Sequence, residues 1–160
     1  MLLACRGPER VGRLVVVDIA PRDYSAARHQ AEFAAMNGLD LASLRSRADA
    51  ERDLEAAVPD WAMRKFLTTN LERGPDGRWR WTINLPVLTR ALPELARNPL
   101  EPGDRFAGPA AFILGGRSNY VRPEDWPAIT GYFPAATREV LATVGHNPHM
   151  EAREAFVRLI

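Results

Sequence analysis

The chain has 160 residues, 46% of them hydrophobic and 26% charged, a composition that fits a globular protein with a core, so disorder is not the default expectation. Its 21 Lys and Arg nearly balance 20 Asp and Glu, for a net charge of +1. The basic residues are scattered among acidic ones, which argues against nucleic acid or an anionic membrane surface as partner. A single cysteine, Cys5, excludes an internal disulfide. No stretch approaches the ~20 apolar residues of a membrane span, and Met1–Cys5 lacks the basic start and apolar run of a leader. The expectation is a cytoplasmic protein.

Taken in order, Leu2, Leu3 and Cys5 followed by Gly7-Pro8 predict the end of a helix whose beginning is not encoded. Leu14-Val15-Val16-Val17 has no polar alternation and predicts a strand buried on both faces of a parallel sheet. It ends on Asp18, at the carboxyl edge where open α/β sheets gather their chemistry. A cap for the turn before Pro21 is the alternative role of that aspartate. Residues 24–36 are Ala-rich, with Phe33 and Met36 on one face, and predict a helix stopped at Asn37-Gly38. Residues 41–58 carry mixed charge with a thin stripe of Leu44, Leu54 and Val58, as in a solvated helix. Residues 61–71 predict another helix, with Asp60 as N-cap and Met63, Phe66 and Leu67 turned inward. Pro75-Asp76-Gly77 marks a turn before the alternating Trp79-Arg80-Trp81, and residues 84–95 return to helix with Pro86 in the first turn.

The α/β pattern resumes with a buried strand through Ala110-Ala111-Phe112-Ile113-Leu114 and a glycine turn. A helix opened by Pro123, a third strand ending near Leu141, a loop holding Gly145-His146 and a helix over 150–160 complete it. The fold class is therefore α/β, a doubly wound ending. Residues 1–38 and 99–160 are assigned to its core, and 39–98 to an inserted helical cap.

His146 follows a glycine in a loop just past a strand, where a side chain projects over the carboxyl edge of the sheet. With a carboxylate such as Asp18 at the end of a nearby strand, it has the makings of the base and orienting acid of a hydrolytic triad. Most lone loop histidines are simply solvated. His146 and His149 share an H-x-x-H spacing, but no further ligands complete a metal site, and nothing points to a cofactor.

The run from Pro8-Glu9-Arg10-Val11-Gly12 into Leu14-Val15-Val16-Val17-Asp18, then Arg28-His29, Phe33-Ala34-Ala35-Met36, Trp79-Arg80-Trp81, Asn84-Leu85-Pro86, Gly108-Pro109-Ala110, Gly115-Gly116-Arg117-Ser118-Asn119-Tyr120-Val121 and Gly145-His146 fall in a telling order. In order and spacing this resembles the part of α/β-hydrolase esterases that follows the nucleophile elbow, in particular the YbfF-like small acyl esterases. The resemblance covers nearly the whole chain. It implies a partial α/β-hydrolase fold and a serine-type carboxylic-ester hydrolase acting on small acyl esters, with His146 as general base and Asp18 orienting it. Asp23 is the only close rival for the acid, and the loop 115–120 offers none.

The G-x-S-x-G elbow is absent, as is the upstream loop that donates the other oxyanion N–H. Ser118, beside two glycines, lacks the flanking pattern and is expected to be a turn residue. The chain is accordingly expected to be N-terminally truncated and inactive alone. Trp61, Phe66, Trp81 and Leu88, with Tyr120, are candidates to line an acyl pocket; the cap's own small core is the alternative use of its aromatics. Other chemistry of the superfamily, such as dehalogenation or epoxide and C–C hydrolysis, and a non-catalytic interaction fragment remain as alternatives. A sheet without its first strands would expose an edge and favour self-association.

Overall fold

The computed structural model describes residues 1–160. In chain order its elements are α1 Leu2–Arg6, β1 Leu14–Val17, α2 Gln30–Gly38, α3 Arg47–Asp53, α4 Trp61–Thr68, β2 Leu71–Arg73, β3 Trp79–Trp81, α5 Leu85–Leu95, β4 Ala110–Gly115, α6 Trp126–Tyr132, β5 Ala136–Leu141, α7 Pro148–Glu151 and α8 Arg153–Val157. The chain divides into two compact units, one of Met1–Asp23 with Asn98–Ile160, the other of Tyr24–Arg97.

The first unit is built on a parallel sheet in the order β1-β4-β5. Val17 pairs with Ile113, and Leu141 with Gly115, so all three strands end near one edge. β4 is the centre and all six of its residues are buried, as its unbroken apolar run requires. β1 departs from the expectation of burial on both faces: it lies at the margin of the sheet, and only Val16 in it is fully buried. Phe112, Ile129 and Phe133, all without exposed surface, form the middle of the core with Val16, Leu100, Phe106 and Leu114. Phe112 meets Phe133 at 5.6 Å and Trp126 edge-on at 6.1 Å between ring centres, the geometry aromatic quadrupoles favour. The expected helix after Pro123 begins as a 3₁₀ turn and becomes α-helical only at Trp126. The expected terminal helix is two pieces, because Ala152 is non-helical, with φ −137° and ψ 56°.

The second unit holds its own core. Met36, Val58, Leu67 and Leu85 pack together with Trp81 and Phe33 against them, and Leu44, Ala50 and Leu71 form a second cluster. Burial of Met36 here explains why the boundary lies at Asp23 and not after residue 38: α2 belongs with these helices. The helix expected over 41–58 contracts to α3, started by a reciprocal cap in which Ser46 Oγ accepts the Asp49 N–H and Asp49 accepts the Ser46 N–H. α4 does open at Asp60, whose carboxylate accepts the Met63 N–H. Its inner face is Arg64, Leu67 and Thr68, spaced i, i+3, i+4. Phe66 lies off that stripe and is 62% exposed, against the expectation that it points inward. Arg64 tolerates burial because its guanidinium donates to the carbonyls of Val58 and Pro59 at 2.8 Å and pairs with Glu55. Residue 71, expected in this helix, instead opens an antiparallel hairpin in which Leu71 faces Trp81. Gly77, with φ 78°, makes its turn.

Candidate active site

β1 stops at Val17, and Asp18 takes the left-handed conformation, with φ 48°. Among residues with a side chain, Asp and Asn accept this backbone most readily, at a cost of order 1–3 kcal/mol that surrounding contacts must offset. Those contacts are present. The Asp18 N–H donates to the Ile113 carbonyl at 2.9 Å, and Oδ1 accepts the Gly115 N–H at 3.1 Å. Oδ2 lies 2.9 Å from Nδ1 of His146. The Asp18 side chain is 1% exposed and that of His146 41%. A carboxylate this buried must be paired, and here each oxygen has its own partner.

Two loops at the carboxyl edge bring His146 to it. Gly116 N–H donates to Leu141 O, and Arg117 N–H to Val144 O, both at 2.9 Å. The loops approach so closely that a Cβ on Gly115 would stand 1.8 Å from the Gly145 carbonyl oxygen, and one on Gly116 would stand 2.6 Å from Ala142 Cα. Both positions therefore require glycine for packing. Tyr120 lies flat on the imidazole, with ring centres 3.4 Å apart and planes 8° from parallel. Glu151 of α7 accepts the N–H of Gly145 at 2.8 Å and of Asn147 at 3.2 Å.

This arrangement suits an imidazole that acts as a base. With Asp18 accepting at Nδ1, that nitrogen carries the proton of the neutral ring and Nε2 keeps its lone pair for a substrate-side proton. The rival acid, Asp23, is exposed and accepts the Asn98 N–H at 2.7 Å, which makes it a loop staple. Ser118 Oγ accepts the Tyr120 N–H at 3.1 Å, as a turn serine does. His149 lies edge-on to Phe156 at 6.0 Å. Of the proposed pocket residues, Tyr120 stands at His146 itself. The other four belong to the second unit: Trp61, 64% exposed, carries Lys65 over its ring and Phe66 is likewise exposed, whereas Trp81 and Leu88 are half-buried. Glu151 escaped the sequence reading. An acidic residue in the first turn after Asn147-Pro148 looks like an ordinary helix start, and nothing in the sequence says that it reaches back past the histidine.

No protein-family model matches the chain. Among curated proteins, it is 35% identical over 163 residues to the sn-1-specific diacylglycerol lipase ABHD11 of Mus musculus, covering 98% of this chain and 52% of that protein. It is 33% identical over 160 residues to Esterase YbfF of Escherichia coli strain K12, covering 100% of this chain and 60% of that protein. The chain thus spans roughly half to three-fifths of the length of these relatives. Among solved structures, a marine microorganism esterase superposes with a TM-score of 0.92 at 27% identity, covering 98% of this chain and 62% of that one. A thioesterase domain from the curacin biosynthetic pathway shares the fold with a TM-score of 0.60 at 22% identity. The parallel sheet, the order of its loops and these likenesses agree: the chain belongs to the α/β-hydrolase superfamily.

Proposed function

We propose that this chain carries the acid and base of a serine-type carboxylic-ester hydrolase acting on small acyl esters. The observation that carries the proposal is the 2.9 Å contact between His146 Nδ1 and the fully buried Asp18. In this role Nε2 of His146 takes the proton of a serine hydroxyl as it attacks the ester carbonyl, and returns it to the leaving alcohol. Asp18 holds the ring in the required tautomer and stabilises the imidazolium formed in between. The relatives named above, an esterase and a diacylglycerol lipase, are consistent with ester chemistry. Both extend beyond the stretch this chain matches, and the proposal assigns the nucleophile and its oxyanion donors to that additional length, since no G-x-S-x-G occurs in the 160 residues. Selectivity for the acyl chain is assigned to Tyr120 and to the apolar side chains Trp61, Phe66, Trp81 and Leu88 of residues 39–98, in the role of a cap.

The test is hydrolysis of p-nitrophenyl acetate by this chain alone and by a longer form that includes a serine elbow. The chain alone should show no turnover above an imidazole control, the longer form should be active, and His146→Ala should abolish that activity. Asp18→Asn, which keeps the shape but disturbs the tautomer, should lower kcat by about 10⁴. An active longer form indifferent to His146→Ala would overturn the assignment.

A further inference from the structure

His146 sits in an exposed loop, and a base must be held to well under 1 Å to work. Asp18 fixes one ring nitrogen and Tyr120 covers one ring face, but neither fixes the backbone from which the ring hangs. The two peptide N–H groups that flank His146, those of Gly145 and Asn147, both donate to one carboxylate: Gly145 to Oε2 at 2.8 Å and Asn147 to Oε1 at 3.2 Å of Glu151. From Glu151 the two bonds reach back six and four positions, so one carboxylate bridges the residues on either side of the histidine. The fit is tight, because a Cβ on Gly145 would meet Oε1 at 3.2 Å. The carbonyl of Gly145, in the next peptide along, is pressed on Gly115, whose N–H also binds Asp18. The segment carrying the base is therefore clamped between Gly115 and Glu151.

We propose that Glu151 is a positioning residue for His146, acting through the backbone to hold the imidazole on Asp18. A helix cap needs only one such bond. The second, to the residue before the histidine, lies outside α7 and serves the loop alone. A carboxylate suits the task because each oxygen accepts one of the two N–H groups, whereas a Gln amide held the same way puts NH2, a donor, where one of those oxygens stood and loses that bond. The proposal rests on the assignment of His146 as base, but its test does not use turnover.

The experiment is NMR on the 160-residue chain and on its Glu151→Ala, Glu151→Gln and Glu154→Ala forms. It reads the tautomer of His146 from imidazole ¹⁵N shifts and the exchange of the Gly145 and Asn147 amides. The parent should show one tautomer, protonated at Nδ1, with both amides protected. Glu151→Ala should speed exchange of both amides roughly 10- to 100-fold, as expected for hydrogen bonds to a charged acceptor, and should turn the single tautomer into a mixture. Glu151→Gln should release one amide and shift the tautomer partway; if the alanine form fails to fold, this variant decides the matter. Glu154→Ala removes a carboxylate from α8, away from the loop, and should change neither readout. An unchanged His146 tautomer in a folded Glu151 variant, whatever its amides do, would reduce Glu151 to a helix cap and overturn the proposal. Ester hydrolysis by the longer form that His146→Ala leaves unchanged would instead defeat the catalytic assignment and leave this result standing.

Discussion

The two units of the chain are held in opposite ways. In residues 24–97 the elements are started by contacts short in sequence: Ser46 with Asp49, Asp60 with Met63, Asn84 with Val87, and a hairpin closed by Gly77. Each is a cap or turn that signals itself through residue type and spacing. In the sheet unit the decisive contacts are long. Asp18 meets His146 across 128 positions and Gly115 across 97, and Arg6 meets Asp104 across 98. Local signals can start a helix, but only a completed sheet can assemble the acid and base, so stability in one unit is distributed and in the other depends on a few close approaches.

The largest expected effect comes from the closest of these approaches. Gly115→Ala places a Cβ 1.8 Å from a backbone oxygen of Gly145, and backbone on both sides cannot yield as a flexible side chain would. Overpacking typically costs about 1–3 kcal/mol, and this site should lie at or above the upper end. The predicted outcome is a lower denaturation midpoint together with loss of the single His146 tautomer, because the loop carrying the base must move away from Asp18. A stable Gly115→Ala protein with an unaltered His146 ring spectrum would break the contrast between the units.

Ser46→Ala sharpens the other side of the comparison. It removes one half of a reciprocal cap on a seven-residue helix, and such a loss costs about 1 kcal/mol. Chemical denaturation followed through signals of α3 should register it, with the His146 spectrum unchanged. A loss several times larger would mean that α3 is held by more than local capping.

These differences also mark what could be read in advance. The three strands of the parallel sheet, the turn at Gly77 and the cap at Asp60 were legible because each rests on periodicity or on one residue's preference. Asp18 and His146 were legible as a pair because both follow strand ends in an α/β pattern. The extent of α3 was not, because charged residues on a thin apolar stripe satisfy a helix and a series of turns about equally, and the burial of Leu44 and Leu54 decided between them. Phe66 was misplaced because buried Arg64 supplied the inward position, and an arginine reads as surface until its carbonyl partners are known. The bracketing of His146 by Glu151 depends on two backbone amides, which carry no side-chain identity at all.

The smallest effect is electrostatic, and it separates the units most directly. Asp104 is held below the ordinary carboxylate value of 3.8, first by its hydrogen bonds from the Arg6 guanidinium and then by the Glu101 N–H. For Asp49, partial burial is the largest single influence and pushes upward. Donors from Arg52, Ser46 and Arg45 together outweigh it, so its carboxyl also lies below 3.8. Both carboxylates are depressed in the folded state, so what they contribute is fully present above the unfolded value and is lost as the pH falls below about 4, through their folded values. An acid titration followed at backbone amides should show the loss near α1 and residues 101–104 for Asp104, and near the start of α3 for Asp49. Arg6→Gln should remove most of the first response, because its largest cause is one distant side chain. Arg52→Gln should leave much of the second, because the backbone donors of Ser46 and Arg45 remain in place. If Arg52→Gln silenced the α3 response as completely as Arg6→Gln silenced the other, Asp49 would depend on a side-chain pair and not on its own helix start, and the division between locally and distantly held carboxylates would fail.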